Sequence, residues 1–231
     1  MMEMKRVRDH LCSIEEGYVR CFFIEGERAA LVVDGGVEAG LRERVTQQTD
    51  KPVTFLLTHS DPDHMAACDE FDKILLHPAE MARFMQKHPY SGELIAVQEG
   101  DQLDFEPYHF EIVLIPGHTP GSIALWEKSR RFLISGDSVT NATTFMFGEG
   151  RNLQAYLSSL RKLEAMADQL DVIYGSHGPV EVSVARIGEL IELCEQVQRG
   201  QLQGVPAERF AGNIREICWK SAAIYYPALS K

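Results

Sequence analysis

Apolar positions along this chain come in short runs, and most runs end in Gly, Pro, Asp or His. "YVRCFFIEGERAALVVDGG" (18–36) predicts a hairpin. Two β-rich runs flank Glu25-Gly26-Glu27-Arg28, and the second ends in Asp34-Gly35-Gly36. "VEAGLRERVTQQ" (37–48) places Val37, Leu41 and Val45 on one helical face. After Pro52, "VTFLLT" (53–58) is continuously apolar up to Thr58, as expected of a strand covered on both faces. "KILLH" (73–77) predicts a further strand. "PAEMARFMQKH" (78–88) opens with proline at a favoured helix-start position.

"YHFEIVLI" (108–115) predicts a strand that runs into "PGHTPGS" (116–122). "IALWE" and "RFLIS" predict a second hairpin around Lys128-Ser129-Arg130, ending in "GDS" (136–138). A Gly-containing loop follows to about residue 151. "NLQAYLSSLRKLEAMADQL" (152–170) reads as an amphipathic helix, and "DVIYGSHGP" (171–179) as a strand and Gly-flanked loop. A long helix is expected at 183–200, ended by Gly200. One last strand is expected within 216–226. No short-period repeat, low-complexity segment or linker is visible.

The chemically informative residues cluster where apolar runs end. They are Asp34, then His59, Asp61, Asp63 and His64, then His118, Asp137 and His177. Four of the eight histidines belong to this set. Tight turns need the small residues beside them. In layered α/β proteins the loops at strand ends hold ligands. Imidazole with carboxylate suits zinc, iron or manganese. Carboxylates crowded at one sheet edge repel each other unless a cation holds them.

Composition narrows the field. At 231 residues, 45% hydrophobic and 25% charged, the chain reads as one large globular domain. Such a chain can bury a core without a structural metal, so a metal here is expected to be functional. The formal net charge of −11, with no basic block beyond "KRVR" at 5–8, argues against nucleic acid as a partner. Five cysteines without a CxxC suggest free thiols in a reducing compartment. "MMEMKRVRDHLCSIEEG" has no uninterrupted apolar core of a signal peptide, and no stretch reaches the roughly 20 apolar residues of a membrane span. The expectation is a cytoplasmic protein with a small-molecule partner, no membrane partner, and a homodimer left open.

"THSDPDH", "PGHTPGS", "ISGDS" and "YGSHGP" stand in an order and spacing that resemble the metallo-β-lactamase fold superfamily of metallohydrolases. The resemblance covers roughly residues 18–180. It implies a four-layer αββα sandwich of the α/β class, as a single domain over 1–231, with 181–231 a C-terminal helical extension with room for a last strand. It implies two divalent metal ions, zinc first, with iron or manganese as alternatives. By position, His59, His118 and Asp137 would hold the first metal. Asp63, His64, Asp137 and His177 would hold the second, with Asp137 bridging. Asp34 matches an aspartate that supports the metal loops from behind.

The family motif is His-x-His-x-Asp-His, and Asp61 stands where most members have histidine. It would ligate directly and make the first site harder, fall short and leave that site weak, or bind through water. The chemistry implied is attack by a metal-activated water on a small ester, thioester or lactone. Asp63 would orient the nucleophile and carry a proton to the leaving group. The extra charge of Asp61 would raise the pH at which that water ionises. The alternatives are a di-iron or mono-iron redox protein on the same scaffold, related to a branch with glutamate at this position, and a non-catalytic binding protein.

Relatives acting on thioesters use basic residues from a C-terminal segment, where this chain has Arg186, Arg199, Arg209, Arg215 and Lys220. "VTNATTFMFGEG" (139–150), with Phe145, Met146 and Phe147, would either wall an apolar pocket or cover the core. His10, His77, His88 and His109 fit no ligand position, and Trp126 reads as core.

Overall fold

The structure, a computed structural model, describes residues 2–228. The chain divides into two compact units. The first comprises the residues up to 114 together with 123–130; the second comprises 115–122 and the residues from 131 onward.

The first unit is built on a seven-stranded sheet in sequential order: β1 (Glu3–Arg8), β2 (Leu11–Glu16), β3 (Val19–Glu25), β4 (Ala30–Val33), β5 (Val53–Leu56), β6 (Lys73–Leu76) and β7 (Glu93–Ala96). The strands β1 to β4 pair antiparallel, and β4 to β7 pair parallel. Parallel neighbours need crossovers, and helices α1 (Leu41–Thr46) and α2 (Pro78–Lys87) lie in two of them. Leu41 and Val45 of α1 and Phe84 of α2 join Val32, Phe55 and Ile74 in one core, each at most 1% exposed. Full burial of each such side chain stabilises by roughly 1.5–3 kcal/mol. Three further strands, β8 (Gln102–Phe105), β9 (Tyr108–Leu114) and β10 (Ile123–Glu127), form an antiparallel set. Trp126 is buried in β10, as expected.

In the second unit β11 (Phe132–Ile134) pairs parallel with β13 (Val172–Tyr174), and β14 (Glu181–Val182) adds antiparallel to β13. A short strand β12 (Thr144–Phe145) runs parallel to β17 (Ala222–Pro227), which continues into β16 (Ile214–Trp219) and β15 (Val205–Pro206). Helices α3 (Leu153–Glu164) and α4 (Arg186–Gln198) bury one face each, through Tyr156, Leu160 and Leu163 and through Ile187, Leu190 and Cys194. No helix of the described residues is long and apolar enough to cross a membrane.

Some elements differ from the sequence expectation. β1, β7 and β8 show no strong apolar alternation because they lie at or near sheet margins, with several positions exposed. The helix expected from 37 starts only at Leu41. Gly40 has φ 99°, and the N–H groups of Val37 and Glu38 donate to the Glu16 carboxylate instead (2.7 and 2.9 Å). The last strand is two strands, reversed at Lys220, which takes φ 54°. Lysine carries no sequence signal for that backbone conformation.

Candidate metal centre

Each unit presents donors from the C-terminal ends of a parallel strand pair, and the second adds His118 from a separate loop. In the first, β4 ends at Val33 and delivers Asp34, while β5 delivers Thr58 to His64. Asp34 takes φ 67°, a left-handed conformation that aspartate tolerates better than most residues. Its N–H donates to the Leu56 carbonyl (2.8 Å). Its carboxylate accepts from the Thr58 N–H (2.8 Å) and hydroxyl, and faces His64 Nδ1 at 2.9 Å. Gly35 N–H donates to the His64 carbonyl (2.7 Å), and a Cβ on Gly35 would sit 3.0 Å from that oxygen. The 34–36 turn therefore clamps the motif loop from behind.

His59 Nδ1 lies 3.0 Å from the Thr58 hydroxyl. With the Nδ1 side of both rings engaged, Nε2 is the nitrogen turned to the carboxylates: His59 Nε2 is 3.7 Å from Asp61 Oδ2, and His64 Nε2 is 4.0 Å from Asp63 Oδ1. The two imidazoles lie 4.1 Å apart, centroid to centroid. Pro62–His64 forms one 3-10 turn, started by Pro62, which brings Asp63 and His64 to the same place.

In the second unit, β11 runs into Ser135-Gly136-Asp137 and β13 into Gly175-Ser176-His177. Ser176 N–H donates to the Gly136 carbonyl (3.1 Å), joining the two loops. His118 sits on the 116–122 loop. Gly117, at φ 135°, lets that loop touch α3, where a Cβ would strike the Tyr156 backbone. The Ser159 hydroxyl holds the Pro116 carbonyl (2.7 Å). His118 Nδ1 lies 3.0 Å from the Phe145 carbonyl, which fixes it as an N–H donor. His118 Nε2 and His177 Nε2 both face Asp137 Oδ2, at 3.6 and 3.1 Å.

These spacings fit a metal. Two donors on one tetrahedral ion, with bonds of about 2.0–2.2 Å, stand about 3.3–3.6 Å apart. Ligating histidines characteristically give the other ring nitrogen to a carboxylate, carbonyl or hydroxyl, as His64, His118 and His59 do here. His59, His64, His118 and Asp61 are at most 7% exposed, and Asp137 8%. The seven residues expected from the sequence fall in two sets, His59, Asp61, Asp63 and His64 in the first unit and His118, Asp137 and His177 in the second, each with imidazole nitrogens facing carboxylate oxygens. Asp34 stands where the resemblance implies, behind the motif loop. Among the described residues no cysteine joins a His/Asp group suited to a metal ion; burial pushes the Cys21 and Cys68 thiols up and Cys194 to about 12.

Three groups beside the donors are not marked by any motif. Arg83 and Lys87, both on α2, reach Asp61 Oδ1 at 2.5 and 3.5 Å. The Phe145 carbonyl orients His118. The only hint in the sequence is the spacing of Glu80, Arg83 and Lys87 on one helical face shortly after the motif. Of the loop 139–150, Met146 is 2% exposed and belongs to the core, while Phe145 is 36% exposed. Phe145 meets Phe147, Phe210 and Tyr225 with ring centroids 5.1–5.6 Å away, and Arg209 lies 4.7 Å over both Phe210 and Tyr225. The other basic C-terminal residues are engaged within the fold: Arg186 with Glu189, Arg199 with Glu195, Lys220 with Glu192, and Arg215 with the Gln203 and Gly204 carbonyls.

A sequence profile of the metallo-beta-lactamase superfamily matches residues 14–177, and the chain belongs to that superfamily. It is 26% identical over 181 residues to "Probable metallo-hydrolase YqgX" of Bacillus subtilis (strain 168), covering 68% of this chain and 83% of the relative. It is 28% identical over 211 residues to a "Hydroxyacylglutathione hydrolase" of Nitrosomonas eutropha (strain DSM 101675 / C91 / Nm57), covering 84% and 76%. Among solved structures, "Metallo-beta-lactamase from Pontibacter korlensis" aligns with a TM-score of 0.71 at 14% identity, covering 84% of this chain and 99% of that one. The α/β fold class expected from the motifs is the fold this chain has.

Proposed function

We propose that this protein is a metal-dependent hydrolase of a small-molecule ester or thioester, in which the seven His and Asp donors serve two divalent ions, zinc first. The observation that carries the reading is the orientation of four imidazoles. Each turns Nε2 toward an aspartate oxygen 3.1–4.0 Å away. Membership of the metallo-beta-lactamase superfamily and relatives named hydroxyacylglutathione hydrolase support the substrate class. A divalent ion in such a site brings the pKa of water toward neutrality and polarises a carbonyl.

The chain's own residues do the rest. Asp137 Oδ2 faces both His118 and His177, so Asp137 would help to hold an ion beside either ring. Asp63, half-buried beside His64, is placed to hold a proton and hand it to the leaving thiolate or alkoxide. Asp34, Thr58 and the Phe145 carbonyl keep the rings from rotating. The partly exposed Phe145 ring, with Arg209 5.9 Å away, offers an apolar wall and a cation for the acyl or thiol part of a substrate. The five free cysteines suit a reducing compartment such as the cytoplasm.

The test is metal content per chain by mass spectrometry on protein purified without added metal, followed by a panel of esters and thioesters. About two zinc ions per chain, and thioester hydrolysis lost on chelation and restored by zinc, are expected. Iron with a visible absorption band and no hydrolysis would replace this reading with a redox role. Metal-free protein without hydrolysis would leave a binding protein.

A further inference from the structure

Asp61 is the motif's departure from histidine, and what surrounds it in the first unit is specific. One face of α2 carries Glu80, Arg83 and Lys87 at i, i+3 and i+7. That face is fastened to the motif loop at two consecutive residues. The N–H of Ser60 donates to Glu80 Oε2 (3.0 Å), and the Ser60 hydroxyl donates to the same oxygen. Ser60 and Glu80 are both fully buried. Arg83 Nη2 donates to Asp61 Oδ1 at 2.5 Å, and its Nε lies 3.9 Å from Glu80 Oε2. Lys87 Nζ reaches Asp61 Oδ1 (3.5 Å) and the Ser60 carbonyl (3.4 Å).

The two oxygens of Asp61 are therefore unequal. Oδ1 is taken by two cations on α2. Oδ2 is the oxygen turned toward His59 Nε2, at 3.7 Å. Charges within this group balance: Asp61 and Glu80 carry two negative charges, Arg83 and Lys87 two positive ones. The Arg83 side chain is 13% exposed and that of Asp61 10%, so solvent screens the pair little. A histidine at position 61 would leave the Arg83 guanidinium facing a ring with no charge to meet it.

We propose that Arg83, with Lys87 beside it, is a positioning residue that makes Asp61 a one-oxygen ligand and offsets its charge, so that the first metal position keeps the character of a histidine-containing site. The proposal rests on the metal-centre reading above. It changes the sequence expectation for Asp61. A carboxylate with both oxygens available chelates and favours hard, high-coordination ions such as manganese. A carboxylate pinned at Oδ1 supplies one donor at a set distance, which suits four-coordinate zinc.

The experiment titrates metal-stripped protein with zinc and with manganese against a chromophoric chelator. It compares wild type, Arg83→Met, Arg83→Gln, Asp61→His and the Asp61→His/Arg83→Met double variant, with thermal unfolding of each metal-free form as a fold control. In Arg83→Met the ratio of manganese to zinc dissociation constants should fall at least tenfold at the position whose affinity Asp61→His also changes. Second-sphere substitutions typically change metal affinity by about 10–100-fold. In the Asp61→His background the same substitution should change that ratio less than twofold. A ratio unchanged in Arg83→Met, or changed equally in both backgrounds, overturns the proposal and leaves Arg83 a structural residue. If Arg83→Met does not fold, Arg83→Gln takes its place, since it keeps a polar side chain and removes the cation; a wild-type ratio there overturns the proposal. Wild type that takes up neither metal sinks the metal-centre reading together with this proposal. Two bound ions with an unaltered ratio sink the proposal alone.

Discussion

The two units support their donors by different means. In the first, the supports behind His59, Asp61 and His64 are mainly side chains, three of them charged: Asp34, Thr58, Arg83 and Lys87, with the Gly35 N–H on the His64 carbonyl as a backbone addition. In the second, the supports are mainly backbone: the Phe145 carbonyl behind His118, the Ser176-to-Gly136 hydrogen bond joining the Asp137 and His177 loops, and Gly117, Gly136 and Gly178 at positive φ, with the Ser159 hydroxyl on the Pro116 carbonyl as the side-chain addition. A support made of side chains can be removed by one substitution that leaves the backbone alone. A support made of backbone is lost only when a turn is deformed. The first half should therefore fail chemically, through charge and hydrogen bonding, and the second sterically.

The largest expected effect tests the first half. Asp34→Ala removes the acceptor for the Thr58 N–H and hydroxyl and the carboxylate facing His64 Nδ1, all buried. Leaving a buried donor unsatisfied costs about 1–3 kcal/mol. Unfolding midpoints should drop accordingly, and metal affinity should fall about 10–100-fold. Retained metal and an unchanged midpoint would mean that Asp34 does not support the loop.

Gly117→Ala probes the second half. The added methyl meets the Tyr156 backbone at a φ that L residues avoid. Strain of about 1–3 kcal/mol is expected, with uptake of metal impaired through His118 while the first half's supports stay intact. Denaturant titration of the metal-free variant measures the first effect and metal stoichiometry the second. An alanine accepted at no cost would contradict the steric account.

The smallest effect is a pH dependence confined to α2. His77 caps that helix, its Nδ1 accepting from the Ala79 N–H (3.2 Å). Burial holds its pKa below the ordinary 6.5, against a smaller opposing pull from Glu80 and Glu99. The neutral ring is the form that caps. Its contribution is thus fully present above pH 6.5 and is lost as pH falls from there toward the depressed folded-state value. His77→Ala should cost about 1 kcal/mol at neutral pH, as loss of a cap does, and flatten that part of the stability profile. Hydrogen exchange in α2 should speed up on acidification in wild type and not in the variant. Equal pH profiles would remove His77 from the account.

Much of the candidate site is legible in the chain itself. Asp34, His59, His118, Asp137 and His177 each follow an apolar strand and sit beside Gly, Pro or a small polar residue. Period and punctuation mark them before any fold is known. The motif order also points to the family. Arg83 and Lys87 are not legible in this way. Their contact with Asp61 spans 22 and 26 residues and depends on how α2 packs beside β5 and β6, which no local pattern states. The marginal strands β1, β7 and β8 escape for a related reason. Strands with several exposed positions need few apolar residues, so their pairing comes from neighbours rather than from their own composition.

Residue order along the chain determined the strands and the turns where the candidate donors sit, through local periodicity and turn chemistry, and its motif order pointed to the superfamily and so to the fold class. Packing decided what each donor's second contact is. Asp34 and Asp61 are the same residue type at neighbouring strand ends, yet one faces the Nδ1 of His64 and the other gives an oxygen to Arg83 and Lys87. That difference arises from buried hydrogen bonds between segments distant in sequence, whose energy exists only once the helix and sheet have closed around them.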